Sequence, residues 1–333
     1  MKKVLFIGLF PPPLGGVSIL SNQLYNYLKV RNQKTLQIDC INISDTIGKV
    51  KFYMTLLKKI LFNDTVTIQY TSNIFDNLCF FIYILCKLFN KRLIVRVFGG
   101  SCKYTYESMS KLKRRLYNNT ILKAEVILFE TKENVNYFRK ISTSKIEWFP
   151  NNKEYIGSKK ESLKKICFFG QIKKSKGVLE IFQASDKINS NISIDLYGPL
   201  GFDISKEEMD KLNNIHKANY RGCVDSREII NIMKEYDLLI LPTYYEGEGY
   251  PGCIIEAYSI GIPVISTKWR CIPEIVDEEC GILIEPKDIE SLSEKINFLA
   301  SNPLIYSQLV YGANNKGRYF DSKRWNSIFI DLL

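Results

Sequence analysis

Short apolar runs alternate along the chain with longer segments whose apolar positions recur at helical spacing. Over the first 150 residues the strand-like runs are 3–9, 35–41, 65–70, 92–98, 125–129 and 145–149. Helical spacing fills the intervals at 18–30, 51–62, 77–90, 108–122 and 132–140. Strands separated by helices of that length predict a parallel sheet covered on both faces. The pattern stops at a polar stretch, 152–165, and then restarts. Strands are expected at 165–169, 192–197, 218–221, 238–241 and 262–266, with Leu283 in one more, and helices at 177–189, 205–213, 226–235, 253–260 and 289–300. The reading is two doubly wound α/β domains: residues 1–152, a linker at 153–164, and residues 165–310. Residues 311–333 form C-terminal helices with Tyr311, Phe320 and Trp325 as aromatic anchors, able to cross back to the first domain. Ligands of such sheets bind at the carboxyl ends of the strands, so a cleft between the domains is the expected site.

Composition changes this picture little. A hydrophobic share of 46% and a charged share of 24% in 333 residues are those of an ordinary globular protein. The most apolar segment, 78–89, is too short for a membrane span and carries Lys87. The seven-residue run from Val4 to Phe10 lacks a small-residue cleavage site and reads as a buried strand. Nine scattered cysteines and the single His216 leave no zinc pattern, so no metal is expected, and a reducing cytoplasm is the expected compartment.

Charge is more informative. Residues 1–150 hold 23 Lys+Arg against 9 Asp+Glu, a net of +14, while the remainder holds 23 against 26, a net of −3. Basic runs such as Lys58-Lys59, Lys91-Arg92 and the stretch from Lys111 to Arg115 suit an anionic membrane surface. A solvated basic face is the plainer reading. No aromatic-interleaved nucleic-acid motif accompanies them, and no nucleic-acid partner is expected.

Three loops carry candidate chemistry. Gly15 and Gly16 precede a helix and let backbone approach a ligand closely, or simply make a tight turn. No G-x-G-x-x-G stands there. The loop after Phe169 reads Gly170-Gln171-Ile172-Lys173-Lys174-Ser175-Lys176-Gly177, and lysines at a strand end beside a helix start can neutralise a diphosphate. The third loop runs from Pro242 through Glu248, Gly249, Tyr250, Pro251 and Gly252 into a helix holding Cys253 and Glu256. Free N–H groups at that helix start favour an anion, and the two carboxylates can accept hydrogen bonds from hydroxyls. Glu256 sits among Ile254, Ile255 and Ala257, so its charge calls for a partner.

The run E-G-E-G-Y-P-G-C-I-I-E-A-Y-S-I-G-I-P-V-I-S-T resembles the signature of family 4 of the retaining glycosyltransferases, with Glu248 and Glu256 at the family's spacing. The resemblance extends to Gly15-Gly16, Pro150-Asn151, Lys176-Gly177, Tyr197-Gly198, Arg221-Gly222, Tyr236-Asp237 and 272–276. It implies the GT-B fold, two facing Rossmann-like domains, and metal-independent transfer from a nucleotide diphosphate sugar. Glu256 would bind ribose and Glu248 would lie near the donor sugar. Residues 249–253 would hold diphosphate and sugar through backbone, and Lys176 would stabilise the leaving diphosphate. Gln171 stands where many members carry arginine, which shifts phosphate neutralisation to Lys176 with Lys173 or Lys174. Where many members place a histidine, this chain reads Arg96-Val97-Phe98-Gly99-Gly100-Ser101. Arg96, Gly99, Gly100 and Ser101 are therefore the acceptor-side candidates.

The expected activity is transfer to a lipid-linked or other saccharide acceptor at the inner face of the cell membrane, in capsule, O-antigen or exopolysaccharide assembly. The alternatives are a nucleotide-sugar epimerase on the same fold, or a basic membrane-surface or nucleic-acid binding module.

Overall fold

The computed structural model describes residues 2–12, 15–31, 36–43, 49–71 and 77–333. Pro13 and Leu14 of the glycine loop, and Thr35 of the second expected strand, lie outside them. The chain divides into two compact units, residues 1–151 with 323–333, and residues 152–322.

The first unit holds β1 (Lys2–Gly8), β2 (Leu36–Asn42), β3 (Thr65–Tyr70), β4 (Arg92–Val97), β5 (Val126–Phe129) and β6 (Lys145–Trp148). Its helices are α1 (Gly16–Arg31), α2 (Lys49–Phe62), α3 (Asn77–Leu88), α4 (Cys102–Glu107), α5 (Lys111–Asn118) and α6 (Lys132–Phe138). The strands pair in parallel in the order β2-β1-β3-β4-β5-β6. Alternate side chains leave the two faces, as the pleat requires. Leu5, Ile7, Val66, Ile68 and Val95 join the core under α2, α3, α5 and α6. Val4, Phe6, Ile94 and Leu128 face the opposite core.

The second unit holds β7 (Lys165–Phe169), β8 (Ser193–Tyr197), β9 (Asn219–Gly222), β10 (Leu238–Leu241), β11 (Val264–Thr267) and β12 (Gly281–Ile284). With them come α7 (Val178–Ser185), α8 (Lys206–Ile215), α9 (Ile229–Met233), α10 (Gly252–Ser259), α11 (Ile289–Ser301) and α12 (Pro303–Tyr319). The parallel order is β12-β11-β10-β7-β8-β9. From β7 the chain winds one way to β9, and from β10 the other way to β12. Their junction is the topological switch point, where loops leave in opposite directions and open a crevice.

The final helix, α13 (Ser322–Leu332), packs in the first unit. Its Trp325 meets the Trp148 and Phe149 rings at 5.1 and 5.9 Å, and Phe329 meets Phe149 at 5.7 Å. Residues 311–319, grouped above with the terminal helices, lie in α12 of the second unit. There a Cβ on Gly317 would stand 2.1 Å from the Tyr258 carbonyl oxygen of α10, so α12 approaches α10 backbone to side-chain-free backbone. The polar stretch 153–164 forms no helix, and it is tied to α12 through Tyr155 and Ser158, both hydrogen-bonded to Asn314.

Two expectations need correction. The helix expected at 108–122 is broken: Ser110 caps α5, accepting the Lys113 N–H at 3.4 Å, and a separate 3-10 turn spans Ile121–Lys123. Tyr311 is 70% exposed and anchors nothing. The buried tyrosine of α12 is Tyr306, whose hydroxyl donates to the Asp237 carbonyl at 2.9 Å, while Phe320 and Trp325 are buried as expected. Among the described residues no helix is long and apolar enough to cross a membrane.

Candidate functional site

The loops after β7 and β10 both leave from the switch point of the second sheet, and one glycine decides how near they come. Gly177 has a φ of 76°, and a Cβ there would lie 2.2 Å from the Pro242 carbonyl oxygen. Any other residue would be strained twice, by its backbone and by that clash. Only glycine lets the loop ending in Lys176 close down on the end of β10. Backbone bonds seal the junction, with Tyr244 N–H donating to the Ser175 carbonyl at 2.8 Å.

Lys176 is thereby delivered to Glu248, Nζ to Oε2 at 2.6 Å. The same carboxylate oxygen accepts the Thr243 hydroxyl at 2.8 Å. Glu248 and Thr243 are buried, and Lys176 is mostly so. A charged pair this short and this dry is fixed in place by its hydrogen bonds. Tyr245 adds a ring beside it, 5.0 Å from Lys176 Nζ and 5.6 Å from Lys173 Nζ. Two cations approach one aromatic ring at the mouth of the loop, while Gln171 is exposed on the same β7 loop.

Beyond Glu248 the chain turns through buried Gly249, Tyr250 and Pro251 into α10. Tyr250 is held by a hydrogen bond from its hydroxyl to Glu274. At the helix start Gly252 is exposed, and a Cβ there would meet nothing within 4 Å. Cys253 follows, its thiol pushed up to about 12 by burial, with the Glu256 carboxylate adding to the shift. Glu256 has a protein partner: Lys153 Nζ at 2.8 Å, both side chains largely covered. The charge on this apolar helix is therefore balanced from the polar stretch at the start of the unit.

In the first unit, Gly15 and Gly16 open α1. A Cβ on Gly16 would meet nothing within 4 Å, and one on Gly15 would meet only the Ser18 hydroxyl at 4.0 Å. Gly99 has a φ of 90° and also borders open space. Its N–H donates to Glu130 at 2.9 Å, and the carbonyls of Gly99 and Gly100 accept from the Asn134 amide at 3.4 and 3.3 Å. Ser101 is half-buried ahead of α4 and makes no side-chain cap. Arg96 is fully buried, its guanidinium 4.3 Å from the Phe98 ring centroid and 4.4 Å from that of Phe149. Burial lowers it to about 9, opposed by Glu130, so it stays charged at neutral pH.

The structure thus brings Lys176, Glu248 and Lys173 together, with Glu256, Gly252 and Cys253 on the adjoining helix start. Sequence reasoning missed Thr243, Lys153, Tyr245, Glu130 and Asn134. Thr243 and Tyr245 follow directly on the apolar run of β10, which is the signal for them. Lys153 sits in a stretch that reads as linker, and nothing local marks it.

Residues 151–316 match the family model described as glycosyl transferases group 1. An uncharacterized glycosyltransferase of Methanocaldococcus jannaschii is 26% identical over 269 residues, 73% of this chain and 68% of that protein. The N,N'-diacetylbacillosaminyl-diphospho-undecaprenol alpha-1,3-N-acetylgalactosaminyltransferase of Campylobacter jejuni is 24% identical over 149 residues, 44% of this chain and 38% of its own length. The chain therefore spans about two thirds of the first relative and well under half of the second. Among solved structures, Anabaena HepE in complex with UDP superposes with a TM-score of 0.77 over 100% of this chain and 99% of that one, at 15% identity. Identity that low establishes the likeness of fold alone. Two parallel six-stranded sheets thus give the chain the GT-B fold, and its residues 151–316, which span the second sheet, match glycosyl transferases group 1.

Proposed function

We propose that this protein transfers a hexosyl unit, with retention at the anomeric carbon, from a nucleotide diphosphate sugar to a lipid-linked saccharide at the inner face of the cell membrane, in capsule, O-antigen or exopolysaccharide assembly. The observation that carries the reading is the buried Lys176–Glu248–Thr243 cluster at the switch point of the second sheet. In the absence of donor, Lys176 is neutralised by Glu248. A diphosphate seated over the start of α10 competes for that cation and draws on the helix dipole, so charge developing on the leaving group meets an ammonium already in place. Lys173 and the Tyr245 ring flank the same loop and assist with phosphate and sugar. Glu256 accepts from the ribose hydroxyls, with Lys153 holding its carboxylate in place. Glu248, released in part from Lys176, accepts from a hydroxyl of the donor sugar.

The leaving phosphate itself takes the acceptor proton on the face from which it departs, which suits a chain with no histidine in the first unit. No metal ion is assigned a step. The Campylobacter relative named above acts on an undecaprenol-linked sugar, and that likeness, with the basic first unit, favours a lipid diphosphate acceptor. Thermal unfolding with UDP-, GDP- and ADP-sugars tests the donor reading. A true donor at about 100 times its dissociation constant adds roughly 2.7 kcal/mol. Stabilisation by none of them would remove the basis of the proposal.

A further inference from the structure

On the first unit, α2 packs inward through Leu56 and Ile60 and turns a second apolar stripe outward. Val50 is 75% exposed and Met54 67%, and Leu57 and Leu61 continue the stripe at three- and four-residue steps. α3 does the same with Ile84 and Leu88, the latter 70% exposed. Tyr53 and Phe81 meet edge-on at 5.2 Å and join the two stripes. α5 abuts α3 through Phe80 and Tyr117, 6.5 Å apart, and adds Leu112 and Leu116, both exposed. All three helices cover one face of the sheet, so these side chains form a surface that the core of the unit does not use.

Charge decides what such a surface meets. The sequences of α2, α3 and α5 carry four, one and four lysines and arginines, with no aspartate or glutamate. Lys51 and Lys58, both exposed, run along one edge of the α2 stripe. A second copy of this chain would set lysine against lysine across the face. A nucleic-acid backbone would give Val50, Met54 and Leu57 no apolar partner. The boundary of an anionic bilayer offers both, acyl chain for the stripe and phosphate for the cations.

We propose that the α2–α3–α5 face of the first unit docks on an anionic lipid bilayer, its apolar side chains entering below the headgroups and its cations meeting lipid phosphates. This deepens the membrane part of the function proposed above and rests on that reading only for the purpose of docking.

Flotation of the full chain with vesicles of phosphatidylcholine alone, and of phosphatidylcholine with phosphatidylglycerol, tests it. Binding should favour the phosphatidylglycerol vesicles by about tenfold or more and weaken with salt. The double variant Met54→Glu/Leu57→Glu should bind about tenfold less at low salt, and Lys51→Glu/Lys58→Glu should lose both affinity and salt dependence. These positions are exposed, so melting temperature and stabilisation by donor sugar should be unchanged in both variants. Equal binding to the two vesicle types would overturn the proposal. So would variants that float like the parent, or a parent oligomer that Met54→Glu/Leu57→Glu dissociates on size exclusion, which would give the face to a second copy. Donor stabilisation is read separately, so failure of the transferase reading and failure of the docking surface give different results.

Discussion

In the proposed reaction Lys176 carries more of the donor chemistry than any other side chain, and its position depends on its neighbour. Gly177 lets the loop descend onto Pro242, and Glu248 then receives the ammonium at 2.6 Å. Replacing Lys176 by methionine keeps the stem and removes the charge. Sugar transfer should fall about 100- to 1000-fold. Stability should fall by about 3 kcal/mol, because the buried Glu248 loses its cation and keeps only the Thr243 hydroxyl. Steady-state kinetics beside urea unfolding separates the two effects, and turnover within a few-fold of the parent would exclude Lys176 from the reaction. The pairing itself could not be read from sequence. Lys176 and Glu248 are each visible as candidates, but the contact depends on a close approach of two backbones. Glu256 shows the same limit: its apolar neighbours announce that a partner is needed, yet the partner, Lys153, comes from a stretch read as a linker.

Among the elements, two kinds of glycine stand apart in the structure and not in the sequence. Gly177, Gly198, Gly281, Gly312 and Gly317 are fixed by a carbonyl that a Cβ would strike; for Gly198 that oxygen belongs to Gly170, at 1.8 Å. Gly16, Gly99 and Gly252 stand before open space. The first kind keeps elements packed, and the second leaves backbone free to meet a ligand. Gly198→Ala should therefore lose about 2 kcal/mol or more of stability, having also a φ of 141°. Gly252→Ala should remain within about 0.5 kcal/mol of the parent while weakening stabilisation by donor sugar. Equal loss of stability in the two variants, read by chemical unfolding, would contradict the division. Polar motifs sort in a similar way. Tyr197, Arg221 and Tyr236 converge on Asp195: Arg221 Nε donates to it at 2.7 Å, and Tyr236 hydroxyl at 2.9 Å while lying 2.7 Å from that of Tyr197. Asp237 accepts the backbone N–H groups of Lys164 and Lys165 at 3.0 and 2.9 Å. These contacts tie β8 to β9 and the start of β7 to the start of β10.

For the molecule as a whole, alternating strands and helices made both sheets legible, since each buried strand is a near-continuous apolar run. Strand order was not legible, because a parallel strand can join either edge, and with it the switch point that places the loops remained hidden. Composition did disclose one global property, the wealth of thiols. Burial pushes Cys86 and Cys253 up to about 12 and Cys280 up to about 11. An unfolded thiol titrates near 8.5. Between those values the folded state keeps protons that the unfolded state loses, so stability is full below about pH 8.5 and declines above it, by about 1 kcal/mol per thiol at pH 9.5. Urea unfolding at pH 7.5, 8.5 and 9.5 should show the decline, and Cys280→Ala should make it shallower. A flat profile would contradict the burial of these thiols.

The packing of α13 against Trp148 and Phe149 bears on the order in which the chain can complete itself. Residues 1–151 leave the ribosome first, yet the apolar side of their sheet is finished by residues 323–333, made only after the entire second unit. The earlier-made unit is the later one to close. Until then its aromatic surface is available to wrong partners, and the second unit, continuous in sequence, can fold while the first still waits.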